Sequence, residues 1–325
     1  MGDGATLGDV GEEAILDRLV CLAGPGGAVP AGDDAAGWEQ DAGLVLISTD
    51  SMVEGVHFRR AYQTPYQLGR KAWAQATSDI AAMGAWPRLG VVAAVFPEST
   101  PAAAAEAVQL GLVDAAGSVG ARLVGGDLSS GPVVSLGVTV VGSVRGGAPL
   151  RLGGARPGDR LLLTGRLGWA AAALAALESG DCSHRVPDSW MERLLDPSPR
   201  LLEGEQLRRL GCSALTDVSD GLLLDAGRMA RASQVALELW ADRLEETGVG
   251  PGLELALAGG EDYELLAAAP AAATAQLAGH WPAGLAPLSV VGTVRAGAGV
   301  TVLDREGGRP LTLDVDRGYQ HFKGA

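Results

Sequence analysis

Aspartates set into apolar runs are the residues of this chain whose type and spacing could do chemistry. The run "SALTDVSDGLLLD" at 213–225 places Asp217, Asp220 and Asp225 among Ala214, Leu215, Val218, Leu222, Leu223 and Leu224, with no Lys or Arg inside it. Buried carboxylates repel one another and lose hydration, at a cost on the order of several kcal/mol each unless something positive pairs with them. The same placement recurs. Asp33 and Asp34 follow Gly32 in "GDDAA", Asp50 ends "ISTD", Asp79 lies in "ATSDIAAMG" and Asp127 follows two glycines in "LVGGD". Helix caps and turns are the other use of such residues, and for Asp220, ahead of "GLLLDAGRM", a cap stands as an equal alternative. Asp79 is predicted in mid-helix with nothing local to pair with it. With the hydroxyls of Ser48, Thr49 and Ser219 alongside, the set is a hard oxygen-donor site of the kind that suits Mg²⁺.

Glycine supplies the second clue. Gly125 and Gly126 before Asp127, and Gly259 and Gly260 before Glu261, let backbone approach a ligand closely. No GxxxxGK[ST] occurs, and no GxGxxG links a strand to a helix, so neither a P-loop nor a dinucleotide fingerprint is present. Phosphates could be held instead by several Mg²⁺ ions, glycine backbone and an arginine such as Arg151.

The elements that must position these residues follow from the pattern. Residues 43–50 form a β-branched apolar run. The segment 64–87 reads as a helix, with Pro65 in its first turn and Gly84 and Pro87 ending it. Strands are predicted at 89–97, 121–127 and 133–144, and a helix at 101–120. The Gly/Pro-rich stretch 145–159 reads as the junction between domains 1–147 and 148–325. Beyond it come a strand at 160–165, helices at 169–180 and 199–211, a strand–turn–helix at 213–233, and a Gly-Gly turn entering a strand at 257–269. Two mixed α/β halves are expected.

The 325 residues, 47% of them hydrophobic, provide for a substantial core, and the net charge of −14 argues against nucleic acid or anionic membrane as partners. Cys21, Cys182 and Cys212 form no CxxC pair. Neither a zinc site nor a disulfide framework is indicated, and a reducing cytoplasm is expected. The acidic N-terminus lacks the basic region of a signal peptide, and no apolar run is long enough to span a bilayer.

Taken in order, "GDDAA", "STD", "GRKAWAQATSDIAAMGAWP", "LVGGDLSSGP", "TDVSDGLLLD", "GGEDYELL" and "GYQHF" resemble the thiamine-monophosphate kinase family, in the superfamily of aminoimidazole ribonucleotide synthetase. The resemblance implies an α/β fold of the α+β type. Its N-terminal strands would form a barrel across a homodimer, and ATP and Mg²⁺ would bind in the cleft with the second domain. It also implies magnesium ligands at Asp34, Ser48, Thr49, Asp50, Asp79, Asp127, Asp217 and Asp220. Of these, Asp50, Asp79, Asp127 and Asp217 would act in catalysis through the metal. ATP contacts would come from Gly126, Asp127, Arg151 and Ser219. His57, Glu261 and Tyr319 would meet thiamine monophosphate. From the residues alone His57 could be a solvated loop histidine, Tyr319 could close the core, and Glu261 could be a turn residue with Asp262 an equal candidate. The chain departs from the family pattern at Ala76–Thr77, at Leu128–Ser129 and at Val56, and Ser129 or Ser130 could replace a hydroxyl lost at Leu128. Cys21 has no lysine near it, as selenophosphate synthetase would need, and "HFKGA" lacks the C-terminal cysteine of the hydrogenase-maturation relative. Aminoimidazole ribonucleotide synthetase, or a regulator that binds Mg-nucleotide without turnover, are the alternatives.

Overall fold

The computed structural model describes residues 35–40, 43–179, 186–313 and 318–321, together with Ala14. Asp33, Asp34, Cys21 and Cys182 lie outside the described residues.

In the N-terminal half, β1 (Ala36–Gln40) and β2 (Gly43–Val53) form a hairpin. They are followed by α1 (Pro65–Ala82), β3 (Trp86–Phe96), α2 (Ala102–Ser118), β4 (Arg122–Ser130) and β5 (Ser135–Ser143). The five strands lie in the order β1-β2-β5-β3-β4, with β3 and β4 parallel and the other neighbours antiparallel. Alternation sets the two faces of this sheet. Leu46, Met52, Leu136, Val138 and Val140 are buried on the side where Trp73 and Ile80 of α1 pack. On the other side, Thr49, Ser51, Val91 and Ala93 are exposed.

Helix α1 starts where its sequence directs. Thr64 caps it, with Gln67 completing a reciprocal capping box, and Pro65 occupies the first turn, where its missing N–H costs nothing. Helices α1 and α2 cross closely because glycine stands at the crossing. A Cβ on Gly69 would lie 2.0 Å from the carbonyl oxygen of Val108, and one on Gly111 2.1 Å from that of Tyr66.

The C-terminal half contains β6 (Arg160–Thr164), α3 (Trp169–Ser179), α4 (Asp188–Leu195), α5 (Leu201–Arg209), β7 (Ala214–Val218), α6 (Leu222–Ser233), β8 (Ala236–Trp240), α7 (Ala241–Glu246), α8 (Leu253–Ala258), β9 (Glu264–Ala269), α9 (Ala271–His280), β10 (Leu288–Arg295) and β11 (Gly299–Leu303). Its sheet has the order β11-β8-β10-β6-β9-β7. Strands β6 and β9, and β7 at the end of the sheet, are buried along nearly their whole length, which accounts for the apolar runs of β6 and β9. The core on one face of the sheet includes Leu161, Leu163, Met229, Leu237 and Leu266.

Helix α1 is buried on nearly all sides because it lies between the two halves. Ser78 donates to Asp217 of β7 at 2.6 Å, and Arg70 pairs with Asp196 at 2.8 Å. Lys71 pairs with Glu261, also at 2.8 Å. An apolar run carrying Lys71, Ser78 and Asp79 is thus a helix that packs on one sheet and offers polar groups to the other half.

Several predicted boundaries move. The helix expected to end at Gly84 and Pro87 stops at Ala82, and Trp86 and Pro87 already belong to β3. The strand expected to finish at Asp50 continues to Val53, and the one expected to finish at Asp127 continues to Ser130. Pairing with β5 and β3 carries both past the polar residues that marked their ends. Four strands, β1, β8, β10 and β11, had no sequence expectation.

Candidate active site

Strand β2, helix α1, and the β7–α6 turn converge on one polar chamber of about 550 Å³. Its lining includes Thr49, Asp50, Gln75, Asp79, Ser219 and Asp220. Asp50 and Ser48 share the α1-facing side of β2, and the Ser48 hydroxyl donates to Asp79 across that interface. Asp217, the fourth residue of β7 and almost fully buried, sits behind the chamber wall with the Ser78 hydroxyl as its donor. Asp79 and Asp217 are therefore positioned by α1 itself, through serines on two adjoining elements.

The electrostatics mark Asp50 and Asp217 as acids whose charge is costly. Burial, with added repulsion from Asp220, raises Asp50 to about 6, although the Ser51 N–H and the Gln75 side chain donate to it. Burial likewise raises Asp217 to about 6, and the charges of Asp220 and Asp50 push it further in that direction. Carboxylates raised this far by burial and like charge mark a functional site. Their donors are hard oxygens plus one amide, which fits a divalent cation and its waters. Among the described residues, no three acidic, histidine or cysteine side chains are grouped tightly enough to hold one metal ion by themselves. Further oxygens must complete any coordination shell.

One expectation needs correction. Arg228, just beyond the 213–225 run, pairs with Asp220 at 2.6 Å and with Asp225 at 2.9 Å. Asp225 also accepts the N–H groups of Ser219 and Asp220, so it fastens the turn. A metal is not needed to balance Asp225. Nor is Asp220 a helix cap, because Gly221 occupies the cap position with φ 116°, a conformation that suits glycine.

A second chamber, of about 650 Å³, adjoins the first. Val56, His57, Leu174, Glu261, Tyr319 and His321 line both and form the waist between them. The His57 Nδ1 accepts the Val53 N–H at 3.0 Å, which leaves the proton on Nε2, 3.3 Å from His321 Nε2. Burial and the neighbouring His321 lower its pKa. His57 is accordingly a neutral hydrogen-bond donor with no free lone pair. Glu261 has left-handed backbone, φ 66°, and its carboxylate is held by Lys71, which is almost completely buried. Asp262 turns away from the chambers and accepts the Gly168 N–H, so of the two equal candidates Glu261 is the one that faces them. Tyr319 is substantially exposed and does not close the core.

Other predicted site residues stand apart. Asp127 and Gly126 line a different hollow of about 660 Å³ between α2 and β4, and Ser129 donates to Asp127 at 3.1 Å. Arg151 is exposed and lines neither chamber; its carbonyl accepts the Leu215 N–H. Asp34 lies outside the described residues. Sequence reasoning missed Lys71, Gln75, Arg228 and His321. Lys71 had a visible signal, being one of only two lysines in the chain and set within an apolar helix.

Comparison with known proteins places this architecture. Models of the AIR synthase related protein match twice, the N-terminal domain over residues 32–144 and the C-terminal domain over residues 156–305. The chain is 38% identical to thiamine-monophosphate kinase of Mycobacterium tuberculosis (strain ATCC 25618 / H37Rv) over 282 residues, 81% of each chain. It is 32% identical to that of Bacillus subtilis (strain 168) over 305 residues, 91% of this chain and 94% of the relative. Among solved structures, AaThiL complexed with AMPPCP and TMP superposes with a TM-score of 0.84 at 29% identity, covering 99% of this chain and 100% of that one. The thiamine monophosphate kinase of Aquifex aeolicus gives 0.79 at 27% identity, covering 95% and 100%.

Proposed function

The chain belongs to the thiamine-monophosphate kinase family of AIR synthase related proteins, and we propose on that basis that it transfers the terminal phosphoryl group of ATP to thiamine monophosphate, giving ADP and thiamine diphosphate. The observation that carries this reading is the pair of joined chambers. One is lined by the carboxylates of Asp50, Asp79 and Asp220, the other largely by apolar and aromatic side chains, and a neutral histidine donor sits between them. A phosphate ester of an organic cation spans such a site, with its phosphate among the acids and its rings beyond the waist.

The residues divide the work accordingly. Mg²⁺ ions held by Asp34, Ser48, Thr49, Asp50, Asp79, Asp127, Asp217 and Asp220 would neutralise and align the two phosphates. Gly126, Asp127, Arg151 and Ser219 hold ATP. His57 donates from Nε2 to the substrate phosphate, and Glu261 and Tyr319 flank it at the waist. The acceptor's second pKa is near 6, so it is largely dianionic at pH 7. Its oxygen attacks the γ-phosphorus, the bond to the β-bridging oxygen breaks, and ADP leaves. No proton need be removed, which agrees with a histidine whose one lone pair is already taken.

A homodimer explains why Asp127 stands apart. In one chain β4 is three strands from β2, about 14 Å at the usual spacing. Among the described residues it also forms an open edge of a sheet whose second face is uncovered. A second copy closing that edge into a barrel would set Asp127 of the partner subunit beside Thr49 and Asp50. Domains 1–147 and 148–325 would then meet along α1, and the enzyme would work in the cytoplasm, without membrane or nucleic acid. Among the described residues no helix is long and apolar enough to cross a membrane.

The test is ADP formation with and without thiamine monophosphate. Release that depends on this acceptor is expected. Release that depends on an aminoimidazole precursor, or none with either, would point to the synthetase or to a non-catalytic binder. Sedimentation should give a dimer at micromolar concentration, and a fully active monomer would overturn the shared site.

A further inference from the structure

The second chamber holds a polar group that no other feature of the molecule explains. Gln63 is 9% exposed, lies one residue ahead of the capping box of α1, and lines this chamber. Its Nε2 has no hydrogen-bond partner. A buried side-chain amide nitrogen without a partner costs on the order of 1–3 kcal/mol, and orphans of this kind are rare enough to need an explanation. The other charged groups on these walls are satisfied: Lys71 is paired with Glu261, and Arg59 with Glu178. Of the buried polar side chains lining this chamber, Gln63 is the one left with an orphan atom among the described residues.

Position along the site says what it meets, given the substrate assigned above. The residues shared by both chambers fix the waist, and the acids fix the phosphate end. Gln63, Phe58, Tyr62, Leu194 and Leu195 line the outer chamber without lining the inner one. The group farthest from the phosphate in thiamine monophosphate is its 4-aminopyrimidine. Along one edge, that ring presents an amino donor next to a ring-nitrogen acceptor. A carboxamide presents the complementary acceptor and donor, the same pairing by which Asn and Gln read adenine.

We propose that Gln63 is a specificity-determining residue that binds the aminopyrimidine edge of the substrate through both atoms of its amide. Gln63 also borders a small apolar hollow of about 130 Å³ beside Phe96 and Thr100, so water in that hollow is the competing occupant. The experiment is Gln63→Met, with Gln63→Leu as a second variant, measured beside the wild type. Loss of both bonds should raise KM for thiamine monophosphate about tenfold or more, leave kcat within about twofold and leave Tm no lower, because an apolar side chain replaces an unsatisfied amide. An analogue lacking the amino group should bind the wild type poorly and the variant no worse. An unchanged KM, additive losses with the analogue, or a fall in Tm with kcat and KM disturbed together would each overturn the proposal. A wild type that turns over no thiamine monophosphate would instead sink the substrate assignment.

Discussion

Two groups of buried acids in this molecule have opposite surroundings. Glu264, fully buried at the start of β9, accepts from Thr164 at 2.7 Å and is clamped by Arg200 through two nitrogens and by Arg193 at 3.0 Å. Asp217 is almost as deeply buried and Asp50 partly so, yet Asp217 has a serine hydroxyl and the more distant charge of Arg228, Asp50 has two amide donors, and both are repelled by Asp220. The first arrangement is closed. Each charge has its counter-charge, and the cluster fastens α4 and α5 to the C-terminal sheet. The second is open, and its missing partner must arrive from solution. Burial alone does not separate a structural acid from a functional one, whereas the count of cations facing it does.

That difference can be broken from either side. The largest effect expected is on stability in the closed cluster. Glu264→Ala leaves two arginines without their partner, which should cost about 3–5 kcal/mol, read as a lower denaturation midpoint. A midpoint near wild type would mean that the clamp is ornamental. In the open cluster, Asp217→Asn should cost activity instead, about 10²–10³-fold, the scale of losing one electrostatic contact to the reacting centre. Its metal-free Tm should stay level or rise as repulsion is relieved. Normal turnover in this variant, or in Asp79→Asn, would remove the acids from the reaction.

The waist between the chambers gives a smaller effect. His57→Asn removes a donor to a charged phosphate, worth about 1.5–3 kcal/mol, and should raise KM while sparing most of kcat. Thiamine without its phosphate should be a negligible substrate. A loss of about a thousandfold in kcat with KM unchanged, the scale of a failed acid–base step, would mean that a general base operates after all.

The smallest effect is on pH dependence. Asp50 and Asp217 titrate near 6 when folded, against about 3.9 for an unfolded aspartate. Between those values the folded chain binds more protons, so its stability falls as pH rises through that window. Metal-free protein should melt a few degrees higher near pH 5 than near pH 7, and Mg²⁺ with nucleotide should reduce the difference. A higher metal-free Tm near pH 7 would contradict the open cluster.

How legible each feature was in the sequence follows the distance over which it is built. Asp79 was legible because one helix carries both its apolar neighbours and the anomaly. The β7–α6 turn was legible for the same reason, but the counter-ion Arg228 lay three residues past the run that posed the question. The Lys71–Glu261 pair joins residues in different halves, and no local pattern announces it. Asp127 shows the opposite failure. Two glycines and an acid read as the end of a strand, yet pairing with β3 carries the strand onward and leaves Asp127 on an edge that a single chain does not bring to β2. Apart from β9, the elements after residue 233 were the least legible, since β8, β10 and β11 acquire their identity from sheet partners far away in the sequence.

The central claim is that cations complete the open cluster at the point where the two phosphates meet. The most direct test is a structure of the enzyme with Mn²⁺, a non-hydrolysable ATP analogue and thiamine monophosphate, with the metals located by anomalous scattering. The metals should lie within coordination distance, about 2–2.3 Å, of the carboxylates of Asp50, Asp79 and Asp217, between the nucleotide and a substrate phosphate that touches His57. Metals bound elsewhere, with none on these three carboxylates, would contradict it.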